Sequence, residues 1–427
     1  MKTGMISLGC DKNRVDSERM LYALKNAGYT LVSDAEDAEI MIINTCAFID
    51  SAKTEAVDTI LECAALKEKN LRYLVVTGCF AQRYADIADL PEVDLFVDIP
   101  SEKNIVALLD ELTGFASRPC FEDGRILTTP AHYAYLKIAD GCDNRCSYCA
   151  IPSIRGPYRS FPVEKLVGEA ETLLKEGVKE LILVAQDTTA YGKDLYGKPS
   201  LVKLLSELVK LDFWKIRILY AYPHLIDEEL LSFIKDNPKI AKYLDVPLQH
   251  ADGELLKKMN RRDRTVKETV KKIRSILPDI SLRSSFIIGF PGETEESQRV
   301  LLDFLADGVD YGGFFAFSPE EGTPAYSMRP LPSRRTVKKR IAECEDAQTR
   351  FTLLRQRRFV GRTIEVLYEG IDYDRQLFYG RSEYSAPDID TLVYFSSDFP
   401  LMVGNVYPVE ITDSDFHLYG KTVKEEL

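Results

Sequence analysis

The apolar residues of this chain fall into short continuous runs that alternate with amphipathic stretches. In the N-terminal part the runs are residues 4–8, 39–43, 73–76 and 94–97, and helix-like periodicity covers residues 16–27 and 51–69. Apolar runs of this length between helices are typical of a parallel sheet that is buried on both faces. We therefore predict an α/β domain with a parallel sheet over residues 1–117.

The same alternation resumes after a stretch rich in turn residues, residues 118–133, which we interpret as a linker. Between residues 134 and 358, six strand-like runs alternate with helix-like stretches, which predicts an open, partial TIM-like (βα)6 barrel. The reaction centre of such a barrel lies at the carboxyl ends of its strands. Residues 361–427 change to five short strands with alternating pattern, separated by turn residues, and these predict a small β-barrel.

Composition restricts the class of protein. The chain has 427 residues, of which 45% are apolar and 29% charged, as in ordinary globular proteins of several domains. It has no N-terminal secretion signal and no apolar run of about 18 residues, so we expect a cytoplasmic protein without a membrane span. Nine cysteines without the spacing of a small disulfide scaffold indicate reduced thiols.

Three cysteines, Cys142, Cys146 and Cys149, stand at CxxxCxxC spacing directly after a strand-like run. Three thiolates on one loop can hold three irons of a [4Fe-4S] cluster and leave the fourth iron open to S-adenosylmethionine. Tyr148 would place a ring against the cluster or the adenine. A structural zinc loop is the alternative, but zinc needs a fourth ligand, and the nearby His132 precedes the strand.

A second set of cysteines follows the first three strands of the N-terminal sheet. Cys10, Cys46 and Cys79 each lie at or just beyond a predicted strand end. Because the carboxyl ends of parallel strands share one edge of a sheet, we predict that these thiols meet and bind a second iron–sulfur cluster. The alternative is that each is a small buried apolar residue, which is the role we expect for Cys63, Cys120 and Cys344.

Polar residues and glycines also follow the strands of the central barrel. We predict that they form a cradle for S-adenosylmethionine, and the residues are Gln186, Asp187, Gln249, Gly289 and Gly292. His250 lies beside them, and a hydrogen-bonded core histidine is the alternative to a catalytic role for it.

The two cysteine sets together with the C-terminal barrel resemble the methylthiotransferases of the radical S-adenosylmethionine superfamily over essentially the whole chain. The barrel is similar to their TRAM domain, through APDID at 386–390 and GNVYPVEIT at 404–412. SLGCDKNRVDSE at 7–18 and CAIPSIRG at 149–156 resemble the branch that modifies a ribosomal protein, rather than the branches that modify tRNA. Asp11 stands where that branch usually has proline.

This resemblance implies the cofactors and the reaction. It implies that Cys142, Cys146 and Cys149 bind the radical-generating [4Fe-4S] cluster and that the set of Cys10, Cys46 and Cys79 binds an auxiliary [4Fe-4S] cluster. It implies methylthiolation of the β-carbon of one aspartate in small-subunit ribosomal protein S-twelve. Two S-adenosylmethionine molecules would be used per turnover, and a low-potential donor such as flavodoxin or ferredoxin would supply electrons. Such a C–H bond has no acidity for a general base to exploit, so a radical must take the hydrogen.

Charge is distributed unevenly along the chain, whose net charge is −12. Residues 361–427 contain thirteen acidic and five basic side chains, a net charge of −8. Such a barrel repels RNA and attracts a basic protein, so we expect it to dock the ribosomal protein, through carboxylates such as Asp388, Asp390 and Asp413, without direct RNA binding. A merely solubilising surface is the alternative.

Two rival functions remain at this stage. A tRNA adenosine methylthiotransferase would need a basic barrel for its RNA substrate, and this barrel is acidic. A non-catalytic iron–sulfur electron carrier would not cleave S-adenosylmethionine, which an assay of the reduced protein would show.

Overall fold

The structure, a computed structural model, describes residues 1–86, 89–119 and 124–424. They fall into two units, the first formed by residues 1–130, 135–159 and 318–326, and the second by residues 131–134, 160–317 and 327–427. The predicted division into three domains and a linker stays a prediction, and Cys120 lies outside the described residues. No helix in the described part of the chain is long and apolar enough to cross a membrane.

The first unit is built on a five-stranded parallel sheet of order β2-β1-β3-β4-β5. Its elements are β1 (Lys2–Ser7), α1 (Asp11–Ala27), β2 (Thr30–Leu31), β3 (Ile40–Thr45), α2 (Asp50–Ala64), β4 (Tyr73–Gly78), α3 (Cys79–Tyr84), β5 (Leu95–Phe96) and α4 (Ile105–Thr113). All six residues of β3 are buried, as a central strand covered on both faces requires. The predicted parallel sheet is confirmed.

Helix α1 begins at Asp11, five residues earlier than the sequence pattern indicates. Cys10 is its extended N-cap residue, and the polar side chains of Asn13 and Asp16 in its first turns are buried instead of facing water. Asp11 suits the first helical position, because a negative charge there interacts favourably with the helix dipole. Cys63 lies in the buried face of α2, as expected.

Four short elements follow in the chain: β6 (Tyr133–Lys137), β7 (Ala139–Asp140), α5 (Ile151–Arg155) and β8 (Arg159–Ser160). Part of the linker predicted over residues 118–133 belongs to the first unit, where Nη2 of Arg125 lies 2.5 Å from Oε2 of Glu18 and both side chains are buried. Arg118 also donates its backbone N–H to the carbonyl of Ala27. Ion pairs of this kind between distant residues leave no trace in the local sequence pattern.

The second unit contains the central strands β9 to β13, which form a parallel sheet of order β13-β12-β11-β10-β9. Its elements are α6 (Val163–Lys175), β9 (Glu180–Val184), α7 (Lys193–Tyr196), α8 (Leu201–Leu208), β10 (Lys215–Ile218), α9 (Glu228–Asp236), β11 (Ile240–Asp245), α10 (Gly253–Lys258), α11 (Val266–Ile276), β12 (Ser281–Ile288), α12 (Glu295–Asp307), β13 (Tyr311–Ala316) and α13 (Arg334–Gln356). The sheet is not closed, so the predicted open barrel is confirmed. The sequence pattern gave no sign of α10 and α11, whose apolar positions are separated by many lysines and arginines.

The C-terminal part forms a closed barrel of order β14-β15-β16-β18-β17, as predicted. Its strands are β14 (Thr363–Asp372), β15 (Leu377–Arg381), β16 (Val393–Ser396), β17 (Val406–Ser414) and β18 (Leu418–Thr422), around a core that includes Val366 and Phe395. The barrel contacts the amino-terminal ends of the central strands. Nη1 of Arg381 lies 2.7 Å from Oε2 of Glu180, the first residue of β9.

Candidate functional site

Cys10, Cys46 and Cys79 converge at the carboxyl edge of the first sheet. Cys46 and Cys79 directly follow β3 and β4, and Oδ1 of Asn13 lies 4.0 Å from Sγ of both Cys10 and Cys79. A Cβ atom on Gly9 would come within 2.9 Å of the Cβ of Cys46. Three thiols from distant parts of the sequence therefore surround the start of α1, as the strand-end rule predicts.

Glycine precedes three of the six candidate ligands, and in each case the backbone needs it. Gly78, before Cys79, has a φ of +86°, and a Cβ there would lie 2.3 Å from Oδ1 of Asn44. Gly141, before Cys142, has a φ of +78°, and a Cβ there would lie 2.2 Å from the carbonyl oxygen of Pro157. Only glycine fits these left-handed, crowded positions, which turn the chain so that the following cysteine reaches the site.

The CxxxCxxC loop lies in the same unit and is held by its own backbone. Cys142 donates its N–H to the carbonyl of Gly156 at 3.1 Å, and Cys149 donates to the carbonyl of Cys146 at the same distance. Cys146 is buried, while Cys142 and Cys149 are half-buried. Tyr148 is also half-buried, and its contact with a cluster or adenine stays a prediction.

A buried network of charges lies beside these two cysteine sets. Nη1 of Arg155 lies 2.8 Å from Oδ2 of Asp16 and 3.2 Å from Oδ2 of Asp140. Nζ of Lys137 lies 2.7 Å from a carboxylate oxygen of each of the same two residues. Burial opposes the charge on both carboxylates, but Lys137 and Arg155 outweigh it and hold their pKa values below the usual range. Both carboxylates thus stay charged although they are largely buried.

Arg155 links this network to the first set of cysteines. Its Nη2 donates a short hydrogen bond to Oδ1 of Asn13 and lies 4.0 Å from Sγ of Cys79. Arg155 ends α5, which begins two residues after Cys149. A helix that continues from the CxxxCxxC loop therefore places a permanent positive charge beside the other set of thiols.

The donor chemistry fits an iron–sulfur cluster. Burial raises the pKa of Cys79 to about 12 against the opposing effect of Arg155, and it raises the pKa of Cys46 as well. Thiolates in this position need further positive charge, which a metal cluster supplies. Within the described ranges, no three His, Cys, Asp or Glu side chains are placed to hold a single metal ion. A cubane cluster takes each thiolate on a different iron, and three thiols that meet at one edge of the sheet provide such a set of ligands.

The residues predicted to hold S-adenosylmethionine follow β9 and β11 in the second unit, but their polar groups are partly engaged. Oδ1 of Asp187 accepts hydrogen bonds from Oγ1 of Thr189 at 2.6 Å and from the N–H of Ala190 at 3.2 Å. Gln249 has a φ of +71° and donates its N–H to the carbonyl of Ser285 at 2.9 Å. Gln186 is half-buried beyond the end of β9. Cofactor contacts from these residues stay predictions.

Gly289 and Gly292 follow β12, and both have positive φ values, +84° and +83°. A Cβ on Gly289 would lie 2.6 Å from Cγ2 of Val337 in α13, and a Cβ on Gly292 would lie 2.4 Å from Nζ of Lys258. The positive φ favours glycine at both positions, and close packing against Val337 adds to this at Gly289. A direct approach to a cofactor stays a prediction.

Sequence reasoning missed a buried ion pair beside these glycines. Nη1 of Arg340 lies 2.8 Å from Oε1 of Glu293, whose Oε2 accepts a hydrogen bond from the N–H of Gly289. His250 is fully buried, its Nδ1 accepts from the N–H of Asp252 at 3.0 Å, and burial lowers its pKa to about 4. His250 is therefore a neutral core histidine, the alternative that its sequence position left open.

The Asn13–Asp16–Arg155 network was also missed, although α1 carries a signal for it. Asn13, Asp16 and Ser17 recur at helical spacing on a face that the sheet buries, where apolar residues are expected. Polar residues on a buried helix face need buried partners. That pattern could have identified this face of α1 as part of a site.

Comparisons with known proteins cover most of the chain. Residues 2–98 match the uncharacterized protein family UPF0004, residues 136–305 match the radical SAM superfamily, and residues 360–423 match the TRAM domain. These matches correspond to the N-terminal sheet, the central strands and the C-terminal barrel.

Curated relatives align from end to end. The chain is 43% identical to ribosomal protein uS12 methylthiotransferase RimO of Acetivibrio thermocellus, over 99% of both chains. It is 44% identical to the protein of the same name from Geobacter sulfurreducens, over 99% of this chain and 98% of the relative. Among solved structures, the radical S-adenosylmethionine methyltransferase TsrM of Kitasatospora setae has a TM-score of 0.54 at 16% identity and covers 76% of each chain, which shows a shared fold.

Proposed function

We propose a division of roles within this chain on the premise that it belongs to the RimO family of ribosomal protein uS12 methylthiotransferases, as 43% identity over 99% of both chains shows. It is a radical S-adenosylmethionine enzyme that transfers a methylthio group to uS12, and it uses [4Fe-4S] clusters. We infer that the acceptor is the β-carbon of one aspartate. A general base could not activate that C–H bond at neutral pH, which is why the fold carries radical chemistry.

The six cysteines divide into two ligand sets. Cys142, Cys146 and Cys149 would hold the cluster that binds S-adenosylmethionine, and the set of Cys10, Cys46 and Cys79 would hold the auxiliary cluster. When bound, the clusters and two molecules of S-adenosylmethionine supply the electron, the hydrogen-abstracting radical and the methylated sulfur. The chain contributes the thiolates, the glycine-dependent turns before them and the charge of Arg155. The convergence of Cys10, Cys46 and Cys79 around Asn13 is the observation that carries this proposal.

S-adenosylmethionine would be held by groups at the carboxyl ends of the central strands and by the aromatic residue of the cysteine loop. These residues are Tyr148, Gln186, Asp187, Gln249, Gly289 and Gly292. The five residues other than Tyr148 are supported by their position beyond β9, β11 and β12, where enzymes of this fold bind their ligands. A low-potential protein such as flavodoxin or ferredoxin would donate the electron, and activity supported by the reduced protein in place of a chemical reductant would test that role.

The acidic C-terminal barrel would dock the basic ribosomal protein, with one correction to the residues expected to take part. The side chain of Asp390 is fully buried, with Oδ1 2.6 Å from Nη1 of Arg283 and Oδ2 accepting from the hydroxyl of Tyr243 at 2.7 Å. Asp390 therefore connects the barrel to β11 and β12, and its carboxylate is not accessible to the ribosomal protein. Asp388 and Asp413 are exposed, as docking requires.

Charge reversal at exposed barrel positions tests this docking. Asp374, Glu410 and Asp413 suit the experiment, whereas Asp388 does not, because its φ of +65° would strain a lysine. The triple change to lysine should raise the apparent KM for uS12 and leave cleavage of S-adenosylmethionine without substrate unchanged, since the barrel contacts the amino-terminal ends of the strands. An unchanged KM would show that the acidic surface only confers solubility.

Mass spectrometry tests the function itself. uS12 from a strain that lacks this gene should lose the mass of one SCH₂ group on a peptide that contains aspartate. The wild-type gene should restore it, whereas genes with Cys10→Ala or Cys142→Ala should not. Unmodified uS12 in the complemented strain, with a methylthio group found on tRNA instead, would overturn the proposal.

A further inference from the structure

The overall negative charge of the chain conceals a strongly basic segment. Residues 257–271, here called the basic segment, contain seven basic and two acidic side chains, a net charge of +5 in a chain of −12. The basic residues are Lys257, Lys258, Arg261, Arg262, Arg264, Lys267 and Lys271. A concentration of one charge sign on a protein of the opposite sign indicates a surface for a charged partner.

The fold places the basic segment on the side of the sheet where reactions of this fold occur. It runs from the end of α10 into α11, within the connection that leaves the carboxyl end of β11. Asn260, two residues beyond the end of α10, has the left-handed conformation, with a φ of +56°. Val266 and Val270 bury the inner face of α11, while Lys267 and Lys271, four residues apart, are exposed together on another face.

Five cations of the basic segment are available to a partner. Their side chains are exposed and form no ion pair or hydrogen bond with any described residue. These five cations are Lys257, Arg262, Arg264, Lys267 and Lys271. The neighbouring carboxylate of Asp263 does not neutralise these cations at the surface, because it is buried and accepts hydrogen bonds from the N–H of Thr265 and from Oγ1 of Thr269. We leave Lys258 and Arg261 out of this surface, since the first approaches Gly292 and the second is buried.

The acidic barrel does not neutralise this surface. The barrel contacts the amino-terminal ends of the central strands, through Arg381 to Glu180 and through Asp390 to Arg283. The basic segment lies at the opposite, carboxyl ends. A strand of six residues separates the two ends by about 20 Å, which exceeds the Debye length of about 8 Å at physiological ionic strength.

We propose that the basic segment binds the phosphate backbone of ribosomal RNA, so that the enzyme takes uS12 as part of a ribonucleoprotein. This inference rests on the proposed function. A basic ribosomal protein alone would be repelled from this surface, whereas the RNA that surrounds it in the ribosome would be attracted. Arginines and lysines spaced along a loop and a helix suit a row of phosphates, which they contact with charge-assisted hydrogen bonds. The expectation that this chain does not bind RNA rested only on the negative charge of the barrel.

Substitution of the five exposed cations tests the inference. The variant carries glutamine at Lys257, Arg262, Arg264, Lys267 and Lys271, and a control carries the same change at five exposed lysines elsewhere in the second unit, Lys175, Lys198, Lys203, Lys235 and Lys338. Binding of purified small-subunit ribosomal RNA to the reconstituted full chain is measured at several salt concentrations. Each phosphate contact contributes about 0.7 to 0.9 to the slope of log affinity against log salt. We expect the variant to bind at least tenfold more weakly, with a flatter slope, and the control to match the wild type.

A second measurement connects binding with catalysis. Methylthiolation is followed on assembled small subunits and on free uS12, and formation of 5′-deoxyadenosine is followed without substrate. We expect the variant to lose at least tenfold in kcat/KM on assembled subunits only, and to keep the other two activities.

Four results would overturn the inference: unchanged RNA binding by the variant, equal loss by the control, a wild-type preference for free uS12, or loss of only the activity that reduced flavodoxin supports. The last would assign the basic segment to an acidic electron donor. All four leave the proposed function standing, which fails only if wild-type enzyme modifies uS12 in neither form.

Discussion

Nη2 of Arg155 lies 4.0 Å from Sγ of Cys79. The two residues belong to the two different cysteine motifs, since Arg155 ends the helix that follows the CxxxCxxC loop and Cys79 follows β4. Burial opposes the charge on Arg155, but Asp16 and Asp140 outweigh it and raise its pKa above the usual value, so the guanidinium is always charged. A fixed positive charge beside a cluster stabilises the reduced, more negative state of that cluster.

Replacing Arg155 by glutamine should therefore lower the reduction potential of the auxiliary cluster. We expect a shift on the order of 60 mV, which for one electron is tenfold in the ratio of oxidised to reduced cluster. Arg155→Lys should shift the reduction potential much less, because lysine keeps the positive charge. Redox titration followed by electron paramagnetic resonance, in a chain whose radical-cluster cysteines are replaced by alanine, measures the auxiliary cluster alone. Arg159→Gln, at an exposed position, is the control, and an equal shift there would refute a local effect of Arg155.

The two cysteine sets should be separable in function. Alanine at Cys142, Cys146 and Cys149 should abolish reductive cleavage of S-adenosylmethionine, because the open iron is lost. Alanine at the set of Cys10, Cys46 and Cys79 should preserve cleavage to 5′-deoxyadenosine and stop methylthiolation. Iron analysis should give about eight irons per wild-type chain and about four in either triple variant. Wild-type protein that never exceeds four irons after anaerobic reconstitution would contradict the two-cluster arrangement.

Much of the fold follows from local pattern. The apolar runs identify the strands of both parallel sheets because such strands are buried on both faces, and β3 is buried at every position. The strand-end rule brings Cys10, Cys46 and Cys79 together because parallel strands end at one edge. These predictions required only information contained within each run and the order of the runs.

The charges around the site could not be predicted in this way. Asp16 is buried because Lys137 and Arg155 contact it, and these partners lie 121 and 139 residues away in the sequence. Asp390 is likewise buried by Arg283, 107 residues away, although its local sequence indicates an exposed turn. A charged residue with no local partner is expected to face water, and only the tertiary structure supplies the compensating charge.

His250 should make the stability of the protein depend on pH in the acidic range. Burial lowers its pKa to about 4 in the folded chain, against a usual value of 6.5. As the pH falls, His250 is therefore protonated in the unfolded chain before it is protonated in the folded chain. The contribution of neutral His250 to the free energy of unfolding is complete above pH 6.5 and is lost as the pH falls towards 4. At pH 5 the loss should be about 2 kcal/mol. Urea unfolding of metal-free protein measures the decrease in the free energy of unfolding between pH 7 and pH 5. This decrease should be smaller for His250→Asn than for the wild type, and equal decreases would disprove this role.

Arg381 should be among the most costly side chains to remove in the second unit. Its Nη1 lies 2.7 Å from Oε2 of Glu180, its Nε lies 2.8 Å from Oε1 of Glu369, and its side chain is 1% exposed. Arg381→Met leaves two buried carboxylates with one partner fewer, which typically costs about 3 to 5 kcal/mol. The exposed Arg375→Met change, which breaks a pair with Asp372 at the surface, should have little effect on the urea midpoint.

The origin of that cost can be tested by combining Arg381→Met with Glu180→Gln. If the cost of Arg381→Met is mainly that of an uncompensated buried charge, removing the charge of Glu180 in the same chain should recover part of the lost stability. The recovery should be incomplete, because Arg217, whose Nη2 lies 2.6 Å from Oε1 of Glu180, then loses its own partner. Strictly additive effects of the two substitutions would show instead that Arg381 stabilises the barrel by packing, for example over the ring of Tyr133.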